Sequence, residues 1–236
     1  MTAKKTVGIL GGMGPEATVH MFDLMVKMTA AQKDQEHIHI IIDNNPNIPD
    51  RSRHITHGET SPLPLLLESA ERLERAGADF IIMPCHTAHL FYDEIAGHLS
   101  IPFLHMQEET LEHVKATFPG SRRFGLLATT GTVKKGMFQS LFKEKGEVIP
   151  PSETYQETVM EALFGDEGVK RGFKKPPRKL LRQVMAHFQQ ENVDAILSGC
   201  TEISLVLYGE TLPLPLIDPM QIIAGVAIKN AGFLCK

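Results

Sequence analysis

Two cysteines stand in matching contexts, one in each half of the chain. Cys85 ends the run Ala-Asp-Phe-Ile-Ile-Met-Pro-Cys, and Cys200 ends the run Val-Asp-Ala-Ile-Leu-Ser-Gly-Cys. In both runs an aspartate, Asp79 or Asp194, precedes the cysteine by six residues. Ligands of parallel α/β sheets bind beyond the carboxyl ends of the strands. Each short apolar run therefore predicts a strand that delivers one thiol to a site.

Two thiols at equivalent places suit a two-base proton transfer at a stereogenic carbon. One thiolate would remove the α-proton of an amino acid, and the other thiol would protonate the opposite face of the planar intermediate. A helix start lowers a cysteine pKa from its usual value of about 8.5, and a helix is predicted after each cysteine. His86, Thr87, Thr201 and Glu202 follow the cysteines directly and are candidates for holding the substrate carboxylate.

Other uses of a thiol stay open at this point. A nucleophilic cysteine would make the protein a cysteine-dependent isomerase, decarboxylase or hydrolase, and glycine turns without turnover would make it a small-anion binding module. Zinc is disfavoured because Cys85, His86 and His89 lack a second cluster of ligands, and a redox pair more often has C-x-x-C spacing. We therefore expect no metal, and we interpret His89 as a helix residue that holds the loop.

The elements that would position the cysteines occur twice. Residues 7–14 form a strand and glycine turn that residues 124–131 mirror, with an offset of 117 between Gly8 and Gly125 and of 115 between the two cysteines. A nearly constant offset predicts an internal duplication. The first turn lacks a full G-x-G-x-x-G, which disfavours a dinucleotide site. We predict two α/β units: residues 1–118 completed by a C-terminal helix at 218–236, and residues 119–217.

Apolar periodicity and turn residues predict the order of the remaining elements. The turn-rich segment 43–62 is interpreted as a long functional loop. The predicted strands are 6–10, 37–42, 79–83, 101–105 and the run before Cys200; the predicted helices are 16–33, 64–76, 87–98, 108–117, 133–145, 154–164, 177–192 and 218–231.

Composition excludes several classes of protein. The 236 residues are 42% apolar and 22% charged, which is typical of globular proteins, and no apolar run approaches the ~18 residues of a membrane span. A net charge of −4 disfavours a nucleic-acid partner, and the basic stretch 170–179 is interpreted as a solvated loop. The start lacks the pattern of a signal peptide, and three cysteines indicate free thiols in a reducing compartment, so we expect a cytoplasmic protein.

Four motifs, in their order and spacing, resemble the aspartate/glutamate racemase family. They are Gly-Gly-Met-Gly-Pro-Glu at 11–16, Asn-Ile-Pro-Asp-Arg at 47–51, Pro-Cys-His-Thr-Ala-His at 84–89 and Gly-Cys-Thr-Glu at 199–202. The resemblance implies two pseudo-symmetric flavodoxin-like domains with the active site in the cleft between them. It also implies cofactor-independent racemisation of aspartate or glutamate, with the two cysteines as acid and base, and a homodimer.

The resemblance also assigns residues to the substrate. In its aspartate-racemase branch, an arginine of the Pro-Asp-Arg loop and a lysine of a later basic loop hold the side-chain carboxylate, and Arg51 and Lys170 match them. The family usually has asparagine in place of His86, which changes the hydrogen-bond geometry available to substrate. The complete set of candidate substrate-binding residues is Met13, Arg51, His86, Thr87, Thr132, Lys170, Thr201 and Glu202.

Overall fold

The computed structural model describes residues 4–236, which divide into two compact units. One unit extends to Glu109 and takes in Met220–Lys236, and the other is Thr110–Pro219. Each unit has its own parallel β-sheet. Among the described residues, no helix is both long enough and apolar enough to cross a membrane.

The first unit contains a three-stranded sheet in the order β2-β1-β3. All pairs are parallel, with Val7 opposite both Ile40 and Phe80, and Ile81 forms a further parallel bridge to Phe103. The elements are β1 (Val7–Gly11), α1 (Pro15–Met28), β2 (Ile40–Asn44), α2 (Arg51–His57), α3 (Leu63–Arg75), β3 (Phe80–Ile82), α4 (Tyr92–His98) and α5 (Met106–Thr117), which begins in this unit.

The second unit contains a four-stranded parallel sheet in the order β5-β4-β6-β7. Its elements are β4 (Arg123–Leu127), α6 (Thr130–Lys135), α7 (Met137–Leu141), β5 (Glu147–Ile149), α8 (Glu153–Phe164), α9 (Lys175–Gln190), β6 (Ala195–Ser198), α10 (Thr201–Leu207) and β7 (Leu216–Ile217); α11 (Pro219–Asn230) follows. In both sheets the strand before the cysteine lies next to the first strand of the unit. The predicted α/β class with two parallel sheets is confirmed.

The core of the first unit follows the two-residue period of its strands. Val7 and Ile9 face a cluster that includes Met21 of α1 and Ile223 of α11, and Leu10 faces Leu66 of α3 on the other side. Both sheet faces are thus covered, which explains why β1 is apolar throughout. Full burial of one such aliphatic side chain contributes about 1.5–3 kcal/mol, so α11 is an integral part of this core.

The second core is built where α8 and α9 pack over the sheet. Phe188 and Leu181 of α9 are fully buried with Val159 of α8 and Ile196 of β6. Gly125 in β4 makes this packing possible, because a Cβ there would lie 2.8 Å from Cγ of Phe188. The glycine that repeats between the two halves therefore has a packing role in this unit.

Segment 43–62 differs from its prediction as an uninterrupted loop, because it contains helix α2. The side chain of Asp50 accepts a hydrogen bond from the Arg53 N–H at 2.9 Å and caps the helix, and Gly58 ends it in the left-handed conformation with φ 67°. The Asn/Pro-rich residues that dominate the composition of the segment lie before the cap. The loop prediction is wrong for Arg51–His57.

Three other elements differ from their predictions. The helix predicted over 133–145 is divided into α6 and α7 because Gly136 adopts φ 62°. The helix predicted over 87–98 begins as a 3₁₀ turn, Thr87–Phe91, and becomes α-helical only at Tyr92. The strand predicted over 101–105 is limited to the bridge at Phe103, and β5 had no counterpart among the predicted strands.

Candidate functional site

Cys85 lies in a tight turn directly beyond β3. The Cys85 N–H donates to the Met83 carbonyl at 2.8 Å, and the side chain is buried, as are those of His86 and Thr87. The turn leads into the 3₁₀ segment Thr87–Phe91. The structure therefore places the thiol at the carboxyl end of its strand, as the sequence predicts.

The first glycine turn connects β1 to α1 at the same end of the sheet. Gly12 has φ 95°, and a Cβ at this residue would lie 2.3 Å from the Asn45 backbone, so only glycine fits. The Gly12 N–H donates to Oγ1 of Thr18 at 2.9 Å, which secures the turn against α1. Met13, a predicted site residue, is buried in this turn.

Arg51 is tied to the same turn through its guanidinium group. Nη2 donates to the Met13 carbonyl at 3.1 Å, and Nη1 donates to the carbonyls of Pro49 and Ile48 at 2.9 and 3.2 Å. Nε is buried and has no hydrogen-bond partner among the residues described. The first unit thus brings Arg51 and Met13 together, and the buried Nε–H of the arginine is left for a further acceptor.

Cys200 forms a hydrogen-bonded cluster with three other predicted site residues, of which Thr201 and Glu202 are buried and Lys170 is not. Its thiol donates to Oε2 of Glu202 at 3.0 Å, and the Thr201 hydroxyl donates to the same oxygen at 3.2 Å. The other carboxylate oxygen, Oε1, pairs with the ammonium of Lys170, which lies in the 3₁₀ turn Val169–Arg171. The second unit therefore brings Cys200, Thr201, Glu202 and Lys170 into one network.

This network shifts the pKa of the Cys200 thiol and the pKa of the Glu202 carboxyl group in opposite directions. Burial raises the pKa of the Cys200 thiol well above its ordinary value, and the Glu202 charge raises it further, against an opposing effect of Lys170. Burial also acts to raise the pKa of Glu202, but the Lys170 charge and the hydrogen bonds from Cys200 and Lys170 outweigh it and lower that pKa. At neutral pH the structure therefore holds a protonated thiol against an ionised carboxylate.

Thr132 lies in the first turn of α6, directly after another strand-end loop of the second unit. It is buried in α6, and its N–H donates to the side chain of Thr129, which caps that helix. This loop follows β4 and corresponds to the Met13 turn in the first unit.

Two further buried side chains, those of His89 and Gln107, contact the Cys85 loop. Nδ1 of His89 lies 2.8 Å from the Cys85 carbonyl oxygen, and Nε2 of Gln107 donates to the His86 carbonyl at 3.3 Å. His89 is the residue that the sequence predicts to hold this loop, whereas no sequence signal indicates Gln107. Within residues 4–236, no group of three or more His, Cys, Asp or Glu side chains is placed to hold a metal ion.

Comparison with known proteins gives consistent matches over nearly the whole chain. The family model for Asp/Glu/Hydantoin racemase matches residues 10–227. The broad specificity amino-acid racemase RacX of Bacillus subtilis (strain 168) is 29% identical over 228 residues, which cover 95% of this chain and 97% of that protein.

Two solved structures extend the comparison to the fold. The aspartate racemase of Picrophilus torridus is 32% identical, with a TM-score of 0.88 over 98% of this chain and 96% of that one. An aspartate racemase homologue from Pyrococcus horikoshii OT3 is 23% identical, with a TM-score of 0.77 over 97% and 99% of the two chains, and it supports the fold.

Proposed function

The chain belongs to the Asp/Glu/Hydantoin racemase family, and from that premise we propose that it interconverts the L- and D-forms of an acidic amino acid, aspartate or glutamate, without a cofactor. The observation that carries this proposal is the repetition of the cysteine site. Cys85 and Cys200 each follow the strand that pairs with the first strand of its unit. Equivalent positions for two acid-base groups suit proton transfer at the two faces of one carbon.

In the proposed reaction the two thiols exchange roles with direction. The Cys85 thiolate removes the α-proton of one enantiomer, and the Cys200 thiol gives its proton to the opposite face of the resulting carbanion. Cys85 is then a thiol and Cys200 a thiolate, the state from which the reverse reaction begins. The protonated state that Glu202 and burial favour at Cys200 supports its use as the acid in the first direction.

Recognition of the substrate side chain is assigned to the two cationic residues. Arg51 has a buried Nε without a hydrogen-bond partner among the described residues, and a carboxylate would satisfy this donor. Lys170 would approach the substrate from the Glu202 side of Cys200. His86, Thr87, Met13, Thr132 and Thr201 are proposed to contact the α-carboxylate and amino group.

The similar proteins differ in the range of substrates that their names give. The Picrophilus protein is an aspartate racemase, whereas the Bacillus RacX protein is a broad specificity amino-acid racemase. His86 stands where the family usually has asparagine, and it offers donors and acceptors in a different geometry. We propose aspartate and glutamate as substrates because Arg51 and Lys170 both supply positive charge.

A panel of L- and D-amino acids, incubated without pyridoxal phosphate and analysed by chiral chromatography, tests the proposal. Racemisation of aspartate or glutamate in the wild-type protein, with exchange of the α-hydrogen for deuterium in D₂O, is the expected result. A covalent mass adduct on one cysteine would indicate a nucleophilic enzyme instead. Binding without α-hydrogen exchange would indicate a small-anion binding module. The Cys85→Ser/Cys200→Ser double variant is the control for uncatalysed reaction.

We also propose a homodimer. Helix α1 exposes three apolar side chains on one face: Val19 at 66%, Phe22 at 42% and Val26 at 38% exposure. Their spacing places them on one helical stripe, which a second copy would cover. Light scattering should give twice the chain mass for the wild type and the monomer mass for Phe22→Glu, whereas the charge control Glu94→Lys on α4 should remain dimeric.

The proposed compartment is the cytoplasm, since all three cysteines are free.

A further inference from the structure

The imidazole of His89 bridges the Cys85 turn and the start of α5. Nδ1 lies 2.8 Å from the Cys85 carbonyl oxygen, and Nε2 lies 3.2 Å from the backbone nitrogen of Met106. A backbone N–H can only donate, so Nε2 must be the acceptor. The ring proton therefore resides on Nδ1 and is donated to the carbonyl of Cys85. The two contacts together assign one tautomer.

The surroundings of His89 keep this tautomer neutral. Burial, with a smaller contribution from the charge of His105, lowers the pKa of His89 to about 3. The ring also packs against the rings of Tyr92 and Phe103, with centroids 6.3 and 6.0 Å away. The imidazole is therefore neutral at neutral pH, which is the state that both contacts require.

Gln107 provides a second connection between the same two segments. Its side-chain amide donates to the His86 carbonyl at 3.3 Å, and the His89 N–H donates to this carbonyl at 3.0 Å. Met106 and Gln107 lie in the first turn of α5, so this turn contacts the two consecutive peptide groups that follow Cys85, one through His89 and the other directly. The direction of the Cys85 thiol depends on that backbone.

The second unit repeats this connection with different chemistry. Ser204 follows Cys200 by four residues, as His89 follows Cys85. The Ser204 hydroxyl donates to Asp218 at 2.6 Å, and Asp218 directly precedes α11, the helix that follows the last strand. In each unit the residue four positions after the cysteine thus has a contact at a helix start, which is Met106 of α5 in the first unit and Asp218, directly before α11, in the second. The residue four positions after the cysteine therefore makes a hydrogen bond of this kind in both halves, through an imidazole in the first and a hydroxyl group in the second.

We propose that His89 is the positioning residue of Cys85. Its imidazole links the Cys85 carbonyl to the Met106 N–H and thereby fixes the orientation of the thiol. His89 does not contact the substrate, but it controls the rate of proton transfer at one face of it. The inference rests on the proposed function and deepens it, because it assigns His89 to one of the two half-reactions.

Three substitutions separate the two hydrogen bonds of the ring. His89→Phe keeps the aromatic packing but removes both bonds. His89→Asn places an amide donor near the position of Nδ1, toward the Cys85 carbonyl. His89→Gln instead places an amide near the position of Nε2, toward Met106. Thermal melts of all three variants identify any variant that fails to fold. If His89→Phe does not fold, the comparison of His89→Asn with His89→Gln shows which of the two hydrogen bonds is required.

The contribution of each cysteine is measured separately by introducing the substitutions of His89 into two backgrounds, Cys200→Ser and Cys85→Ser. In the Cys200→Ser background, α-deuterium exchange depends on Cys85, and His89→Phe should slow it about 10- to 100-fold, as expected for a misplaced reacting group. In the Cys85→Ser background the same substitution should slow exchange far less. Asn at residue 89 should restore most of the rate in kcat, with KM nearly unchanged.

A readout that needs no turnover keeps this inference separate from the racemase assignment. In protein labelled with ¹³C at cysteine Cβ, His89→Phe should shift the signal of Cys85 but not that of Cys200, and His89→Asn should return it toward the wild-type position. Absence of exchange in the wild type would refute the racemase proposal and leave this test in force. Equal slowing in both serine backgrounds, rescue by Gln but not Asn, or an unmoved Cys85 signal would each overturn the role of His89.

Discussion

The Cys200 thiol donates a hydrogen bond to the carboxylate of Glu202 at 3.0 Å. This contact joins a proposed acid to a fixed negative charge only two residues away, and the ammonium of Lys170 pairs with the other carboxylate oxygen. The carboxylate raises the pKa of the thiol, and the ammonium acts in the opposite direction. The balance of these two charges should therefore control when Cys200 holds its proton.

Glu202→Gln should lower the pKa of Cys200, because it removes the negative charge and leaves that of Lys170 unopposed. Alkylation of Cys200 by iodoacetamide, followed by peptide mass mapping, should then begin at lower pH than in the wild type. The internal reference is Cys85, whose profile should stay unchanged. Because the two enantiomers have equal free energy, any change in kcat/KM for racemisation should be the same in both directions. An unshifted or upward-shifted Cys200 profile would contradict the assigned network.

Lys170→Met should destabilise the second unit by about 1–3 kcal/mol, the cost of leaving a buried acceptor without its charged partner. The folded-state pKa of Glu202 is lowered, so the pair stabilises the protein above the unfolded-state pKa of a glutamate. That stability is lost as the pH falls through the folded-state value. Urea unfolding should thus show a large difference between the variant and the wild type at pH 7, and the difference should shrink as the pH falls below the ordinary pKa of a glutamate.

A matched surface variant distinguishes this effect from a general loss of charge. Lys115 pairs with Glu112 on the exposed surface of α5, at 2.7 Å, and Lys115→Met should change stability by less than about 1 kcal/mol. Equal losses in the two variants, or a difference for Lys170→Met that does not depend on pH, would be inconsistent with an ion pair between Lys170 and the buried Glu202 carboxylate.

Sequence patterns could predict where the cysteines lie but not what surrounds them. A strand followed by a turn is encoded locally, so Cys85 and Cys200 were both placed at strand ends. The pairing of Lys170 with Glu202 joins residues that are 32 apart in the chain and depends on how the 3₁₀ turn Val169–Arg171 packs on α10. Helix α2 was missed because one side-chain cap at Asp50 outweighs the turn-forming composition before it.

Arg51→Leu should raise KM for aspartate or glutamate, or lower kcat/KM, by roughly tenfold or more, which corresponds to the loss of a charge-assisted contact worth about 1.5–3 kcal/mol. Steady-state kinetics with alanine as a second substrate would show whether the effect depends on the side-chain carboxylate. Because Arg51 also donates to the Met13 carbonyl, the Tm of the variant must be measured in parallel. Unchanged kinetics with an acidic substrate would exclude Arg51 from recognition.

Replacement of each cysteine in turn separates the two faces of the reaction. In a two-base site each thiol serves one face, so Cys85→Ser and Cys200→Ser should both abolish racemisation. The remaining thiol still removes a proton from its own face and returns a solvent-derived one. Each variant should therefore retain slow α-deuterium exchange with one enantiomer only, and the two variants should prefer opposite enantiomers. Proton NMR in D₂O with pure L- and D-aspartate measures both rates. A nucleophilic mechanism predicts instead that one cysteine is essential and the other dispensable, so full racemisation by either variant would refute the two-cysteine assignment.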